Sequence, residues 1–341
     1  MPKFQKRHLL WALLALLLAA GALVHGRLTQ SEASQNDIYY SWVEGRRILA
    51  GENPYARVLA GDLRHNDKYA TYFPVFYELS ALSQWAGRRE YEPWIAFWRP
   101  VFLLFNLGIA AVLFVLAHQR GRAILAVFGA AFWLFNRWTL NATQMNCLDP
   151  IPIFLLLLSL GLWPRHRLPA LLLFSLSLGV KQIAIFLVPL YLIWAWQNAE
   201  RTPWKQAVLA ALAIASVPVV TSLPFLFGNA EGFLKSILFS AIRVPEWQFG
   251  ADSIDTLLGW SGLAARLPML VLMALVYAAA CRRMIGPFAA ALLVMATFVD
   301  FNTLLFPQYL LWVVPFVPLA VCDLTDAGSR ASQGRTTQTN Q

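Results

Sequence analysis

Few polar residues in this chain are placed to do chemistry, and they stand in separate segments. Asp37 lies about one turn before Tyr40 in "SQNDIYYSWVEGRRILAGENPYA", ahead of an amphipathic stretch through Trp42, Val43, Ile48 and Leu49 that Gly51 and Pro54 end. A carboxylate there can serve as a general base, but Asn36 or Asp37 equally suits the N-cap of a short surface helix. Tyr39, Tyr40 and Trp42 are equally readable as interface aromatics. Lys181 stands between two apolar runs in "LSLGVKQIAIFLVP", where an ammonium must either snorkel or meet an anion. In the second case it is a counter-charge for a phosphate at the membrane surface, and Arg137 and Arg243 contribute to the same electropositive pocket. The segment "AIRVPEWQFGADSIDTLLGW" mixes Arg243, Glu246, Trp247, Asp252 and Ser253 with turn residues; it suits sugar or headgroup contacts, although a solvated loop has the same composition.

Metal and disulfide chemistry find no footing. His8, His25, His65, His118 and His166 are scattered without ligand spacing, and Cys147, Cys281 and Cys322 are an odd count without a framework. No metal site built by the protein is expected.

The elements that must position these residues are set by composition. Of 341 residues, 58% are hydrophobic and 13% charged, half the charge typical of a soluble domain, and the mean hydropathy is +0.54. There is too little polar surface for a water-facing particle, so the chain reads as an integral membrane protein. A net charge of +9 in so apolar a chain marks loops beside a membrane rather than a nucleic-acid surface.

Apolar runs of suitable length alternate with short basic punctuation. The first, Leu9 to Val24, follows Lys3, Lys6 and Arg7 and reads as a retained signal-anchor helix. The later runs are Trp94–Ala117, Ala123–Phe135, Pro150–Trp163, Leu168–Val180, Ile183–Trp196, Ala207–Phe227, Leu263–Ala280, Ile285–Val299 and Leu304–Val321, ten spans with the first. The piece Phe73–Trp85 is too short to cross. With Tyr72, Phe73, Phe76, Tyr77, Trp85 and Glu78 it reads as an interfacial helix. Leu168 to Trp196 is short for two spans and long for one, and two short helices meeting near Lys181 are expected.

With these spans, Arg120, Arg122, Arg165, Arg167, Arg201, Lys205, Arg282, Arg283, Arg330 and Arg335 fall on the side of the N-terminus. Of the 18 acidic residues only Glu200, Asp323 and Asp326 join them. That side is expected to be cytoplasmic. The unusual polar residues fall on the other face, from five segments: 26–72, Asn136–Asp149, Lys181, 228–262 and Asp300–Gln308. The expected architecture is an all-α polytopic membrane domain over 1–322. Its large outer loops are 26–93, with interfacial helices, and 228–262, and a disordered cytoplasmic tail follows over 323–341.

The order of these motifs resembles glycosyltransferase family 87, the polyprenol-phosphate-mannose-dependent mannosyltransferases of the GT-C superfamily, nearly end to end. The family's Asp before an aromatic segment and its "GxNPY"-like turn are matched by Asp37, Tyr40 and Gly51-Glu52-Asn53-Pro54-Tyr55. Its "YPP" element is matched by Tyr72-Phe73-Pro74, with Phe for the first Pro, and its "GQxN" by Thr143-Gln144-Met145-Asn146, without the Gly. A Gly-rich helix ending in Lys is matched by Gly179-Val180-Lys181, and an Asn-Ser pair by Asp252-Ser253. A final His-x-Tyr-like element corresponds to Gln308-Tyr309, lacking the His.

The resemblance implies a GT-C-like bundle that moves a hexose, most readily mannose, from a polyprenyl-phosphate donor to a glycolipid, glycan or protein acceptor. The active site would face the periplasm of a bacterial inner membrane. It implies Asp37 as general base, with Lys181, Arg243 and Arg137 on the donor phosphate. Tyr40, Tyr72, Gln144, Asn146, Trp247, Asp252, Ser253, Gln308 and Tyr309 would contact substrate. No cofactor is implied, since a phosphate leaves as a stabilised anion. Two other classes remain open: a transporter or lipid flippase using Lys181 at the midplane, and a non-catalytic membrane protein that keeps the fold.

Overall fold

The structure is a computed structural model that describes residues 3–28, 37–61, 69–242, 253–260, 262–302 and 305–324. Among these residues there are helices and no strands. Arg243, Glu246, Trp247, Asp252 and the segment 325–341 lie outside the described residues.

Among the described residues four helices are long and apolar enough to cross a membrane: α1 (Lys3–Leu28) over His8–Leu28, α4 (Tyr91–Gln119), α10 (Pro203–Gly228) and α15 (Pro307–Leu324). The helices α5 (Ala123–Phe135) and α6 (Arg137–Gln144) meet at a 41° bend and make a fifth crossing if taken together. The bend falls at Asn136, which leaves the helical region (φ −73°, ψ 152°) and accepts from the backbone N–H groups of Trp138 and Thr139 to start α6.

Among the described residues the ten apolar runs fall largely on helix, and four or five of the ten expected spans have the length and composition to cross. The other five runs lie on α7 (Pro150–Leu162), α8 (Arg167–Val180), Gln182–Gln197, α13 (Gly262–Cys281), apolar over Ala265–Cys281, and α14 (Pro287–Asp300), all but α13 well short of a span. At 1.5 Å per residue a helix of 13 residues rises only about 20 Å. The Gln182–Gln197 piece is a 3₁₀ turn, Gln182–Leu187, running into α9 (Val188–Gln197). As the sequence leads one to expect, the chain breaks at Lys181, whose backbone is extended (φ −159°, ψ 120°).

Buried side chains from α4, α5, α7, α8, α9, α14 and α15 form one core. Small residues set its spacing: a Cβ on Gly179 would lie 2.8 Å from Val75 and 2.9 Å from Val217, so α8 runs close to α10 and to the outer helix α3 (Val75–Trp85). Apolar side chains on the outer faces of α1, α4, α10 and α13, among them Leu16, Leu104, Val220 and Leu275, are exposed, as a lipid-facing surface requires.

The ends of the bundle differ. At one end Asp323, which belongs to α15, accepts from the N–H groups of Phe288 (2.7 Å) and Ala289 (3.1 Å) at the start of α14, with Arg120 at 3.9 Å. Arg167 and Arg283 donate there to the carbonyls of Asn198 and Gln197. The opposite end, where α7 begins at Asp149 and α8 stops at Lys181, carries the irregular segments: α2 (Asp37–Leu49), the 3₁₀ turn Pro54–Leu59, α3, and the 3₁₀ opening of α15.

The short helix α3, expected at headgroup level, also packs inside the protein. Phe76 and Tyr77 are buried, because α3 lies against α2 and α8 and Phe76 packs 4.9 Å from Trp98 of α4; Trp85 at its end is exposed.

Candidate functional site

The α2 helix begins at Asp37, whose carboxylate falls in the first turn, where the helix dipole favours negative charge. Its apolar face, Ile38 and Trp42, seats against Trp94 and Phe76. Gln84 of α3 donates to the carbonyl of Trp42 (2.9 Å), and Trp42 Nε1 donates to that of Arg89 (3.1 Å). Further along α2 the carboxylate of Glu44, 1% exposed, meets Arg57 of the 3₁₀ turn at 2.8 Å and Arg47 at 3.5 Å. Burial raises the Glu44 pKa to about 6 against the pull of both arginines.

Tyr72 is held by its backbone. Its carbonyl accepts from the buried Tyr55 hydroxyl (2.7 Å), its N–H reaches the Tyr77 hydroxyl (3.4 Å), and Gln182 donates to the carbonyl of Thr71 (2.6 Å). Tyr55 is placed in turn by Asn53, which caps the Pro54–Leu59 turn and donates to the carbonyl of Phe225 at the end of α10 (2.9 Å).

These supports bring four expected residues to one narrow cleft, with a cavity volume of only about 20 Å³: Asp37, Tyr72, Lys181 and Gln308. Ile38, Met145, Cys147, Leu148 and Asp149 complete its wall. The Lys181 ammonium, in a side chain 4% exposed overall, lies 2.8 and 2.9 Å from the two oxygens of Asp149 and 4.9 Å from the Tyr72 ring centroid. Asp149 Oδ1 also accepts from Trp312 Nε1 at 2.7 Å.

The ion pair changes the reading of Lys181. The expectation was a snorkelling lysine or one that meets an anion, with a substrate phosphate as that anion; the structure supplies a protein carboxylate bound through both oxygens. Asp149 and Trp312 were missed. A carboxylate just before a Pro-led helix reads as an ordinary helix start, and the signal that finds it is the lysine itself, since an ammonium in an apolar run requires an acid.

The remaining expected residues divide. Asn146 is 2% exposed, has a left-handed backbone (φ 52°), and lies between the cleft residues Met145 and Cys147; neither of its amide atoms has a hydrogen-bond partner among the described residues. Tyr309 follows Gln308 in the 3₁₀ opening of α15, its ring 5.6 Å from that of Phe306. Tyr40, half-buried and edge-on to Tyr39, and Gln144, exposed at the end of α6, are not in the cleft wall. Arg137 is exposed at the start of α6 and does not line it either, so the expected three-cation pocket is not assembled by the described residues. Ser253 is buried just before α12 (Ile254–Leu257), outside the cleft.

Among the described residues no three His, Cys, Asp or Glu side chains gather as metal ligands. Asp37 and Asp149 are the cleft's two carboxylates, and the second is engaged by Lys181 and Trp312. The sequence matches no protein-family model and no curated protein.

Proposed function

We propose that this protein is a membrane glycosyltransferase of GT-C-like architecture that moves a hexose, most readily mannose, from a polyprenyl-phosphate donor to a hydroxyl of a glycolipid or glycan. The observation that carries the reading is the meeting of Asp37, Tyr72, Lys181 and Gln308, from four distant segments, in one cleft at the end of the bundle opposite its basic connections. The same residues carry the resemblance to glycosyltransferase family 87. The excess of Lys and Arg at the other end supports a cytoplasmic position for that end and a periplasmic one for the cleft.

The reaction needs two things from the chain. As the acceptor oxygen attacks the anomeric carbon, its proton passes to the Asp37 carboxylate. The bond from the anomeric carbon to the phosphate oxygen breaks with its electron pair on the phosphate, and the configuration inverts. The phosphate gains one negative charge, and the Lys181 ammonium is the cation lining the cleft that can stabilise it. Because phosphate is a good leaving group, no second, protonated carboxyl is required, in contrast with glycosidases.

The test is sugar transfer by the purified protein in nanodiscs, with radiolabelled polyprenyl-phosphate mannose and a mixed glycolipid extract, against Asp37→Asn. Loss of a base of this kind lowers the rate by about 10² to 10⁴. Undiminished transfer in the variant would remove Asp37 from the chemistry.

A second reading, proton- or ion-coupled transport, is favoured by one observation. A buried Lys181–Asp149 pair at a helix break is the kind of element that coupled transporters use. Absence of transfer from any polyprenyl-phosphate sugar, with flux of a labelled lipid across proteoliposomes, would establish it instead.

A further inference from the structure

Building on the transferase reading, we propose that Asp149, fixed by Trp312, is a positioning residue that keeps Lys181 ionised at the cleft wall and aims its remaining N–H at the departing phosphate. An ammonium has three N–H groups. Two serve the oxygens of Asp149, 2.8 and 2.9 Å away, which leaves the third for a group bound in the cleft that both residues line. Asp149 cannot swing, because Trp312 Nε1, on a fully buried indole, holds Oδ1 at 2.7 Å. Removed from water without an acid, a lysine at this depth would shed its proton and lose its charge.

The pairing also decides when the lysine acts. An unmatched cation would bind the donor phosphodiester strongly before reaction, which lowers KM without raising kcat. A cation already neutralised by Asp149 offers a directed hydrogen bond that gains strength as the phosphate acquires its second charge. The pair therefore serves the departing phosphate more than the bound donor, and its loss should appear in kcat.

The experiment uses the full chain in nanodiscs with polyprenyl-phosphate mannose, comparing wild type with Asp149→Asn and Trp312→Phe. Asp149→Asn should lower kcat tenfold or more, leave the donor KM within about threefold, and move the alkaline limb of the pH–rate profile to lower pH as Lys181 loses its acid. Trp312→Phe should move kcat in the same direction by a smaller factor and stands in if Asp149→Asn does not fold. An unaltered kcat, a loss confined to KM, or a lowered Tm with an unmoved pH profile would overturn the proposal.

A readout independent of turnover separates it from the transferase reading. Lys181 is followed by reductive methylation and mass spectrometry between about pH 6 and 10. Modification at lower pH in Asp149→Asn than in wild type supports the positioning role even if no sugar is transferred, and identical labelling curves overturn it even if sugar is.

Discussion

Lys181 and Asp149 are 32 residues apart, yet the ammonium of one bridges both carboxylate oxygens of the other at 2.8 and 2.9 Å. They close the cleft ends of two neighbouring helices, α8 ending at the lysine and α7 beginning after the aspartate. The α8 helix stops where its charge finds a partner. Trp312 adds the opening of α15, so three elements are tied through one carboxylate.

Breaking this pair on one side should be worse than removing it. Lys181→Met leaves Asp149 buried with only the indole donor, and loss of one partner of a buried pair typically costs about 3–5 kcal/mol. Combining Lys181→Met with Asp149→Leu should recover most of the lost thermal stability in detergent. Additive losses in the double variant would show that the two side chains do not depend on each other.

The seating of α2 rests on a missing side chain. A Cβ on Gly45 would clash with Ser80 Oγ and come within 2.7 Å of Ser80 Cβ and 2.8 Å of Gln84 Nε2 on α3. Gly45→Ala should destabilise by about 1–3 kcal/mol, as overpacking does, and reduce transfer, because α2 carries Asp37. Adding Ser80→Gly should restore both. Full activity in Gly45→Ala would mean that Asp37 does not depend on the α2–α3 contact.

Glu44 makes the outer helices pH-sensitive. Its folded-state pKa of about 6 exceeds the usual 4.5, so between these values the folded protein holds more protons than the unfolded chain. Stability contributed at this site is therefore greatest below pH 4.5 and declines as pH rises through 6. In Glu44→Gln, a Tm series from pH 4.5 to 7 should lack that decline. An identical series in wild type and variant would reject the assignment.

Cys147 offers a chemical handle on the cleft. It is half-buried, and burial first, then the nearby Asp149 carboxylate, push its thiol pKa up. Small uncharged maleimides should modify it slowly and only at alkaline pH, stop transfer when they do, and be blocked by the polyprenyl-phosphate donor. Mass spectrometry separates it from Cys281, which is exposed, and Cys322, which is buried. Modified Cys147 with full transfer would place substrate elsewhere.

Much of this was legible in the residues. Among the described residues the apolar runs are largely helical, the break at Lys181 followed from a charge amid apolar residues, and Asp37, Tyr72 and Gln308 met it in space. Local sequence does not encode the long-range pairings: Asp149 with Trp312 spans 163 residues, and His25 with Thr143 spans 118, a buried imidazole joined to α6 at 2.7 Å. Arg137 was assigned by the sign of its charge, and sign carries no direction; at the exposed start of α6 it misses the cleft. Of the ten expected spans, four or five have the length and composition to cross among the described residues, since apolar composition reports burial while helix length depends on where Asn136 and Lys181 interrupt the backbone.

The short helices α7 and α8, of 13 and 14 residues, bear on the bilayer itself. Each rises about 20 Å, against a hydrocarbon slab of about 30 Å, and none of the residues of α7 is exposed, so that helix is covered by the bundle and not by lipid. Helices this short cannot reach both faces, so an ion pair at their ends would lie below headgroup level. Under the transferase reading, a lipid phosphate would have to sink to meet it.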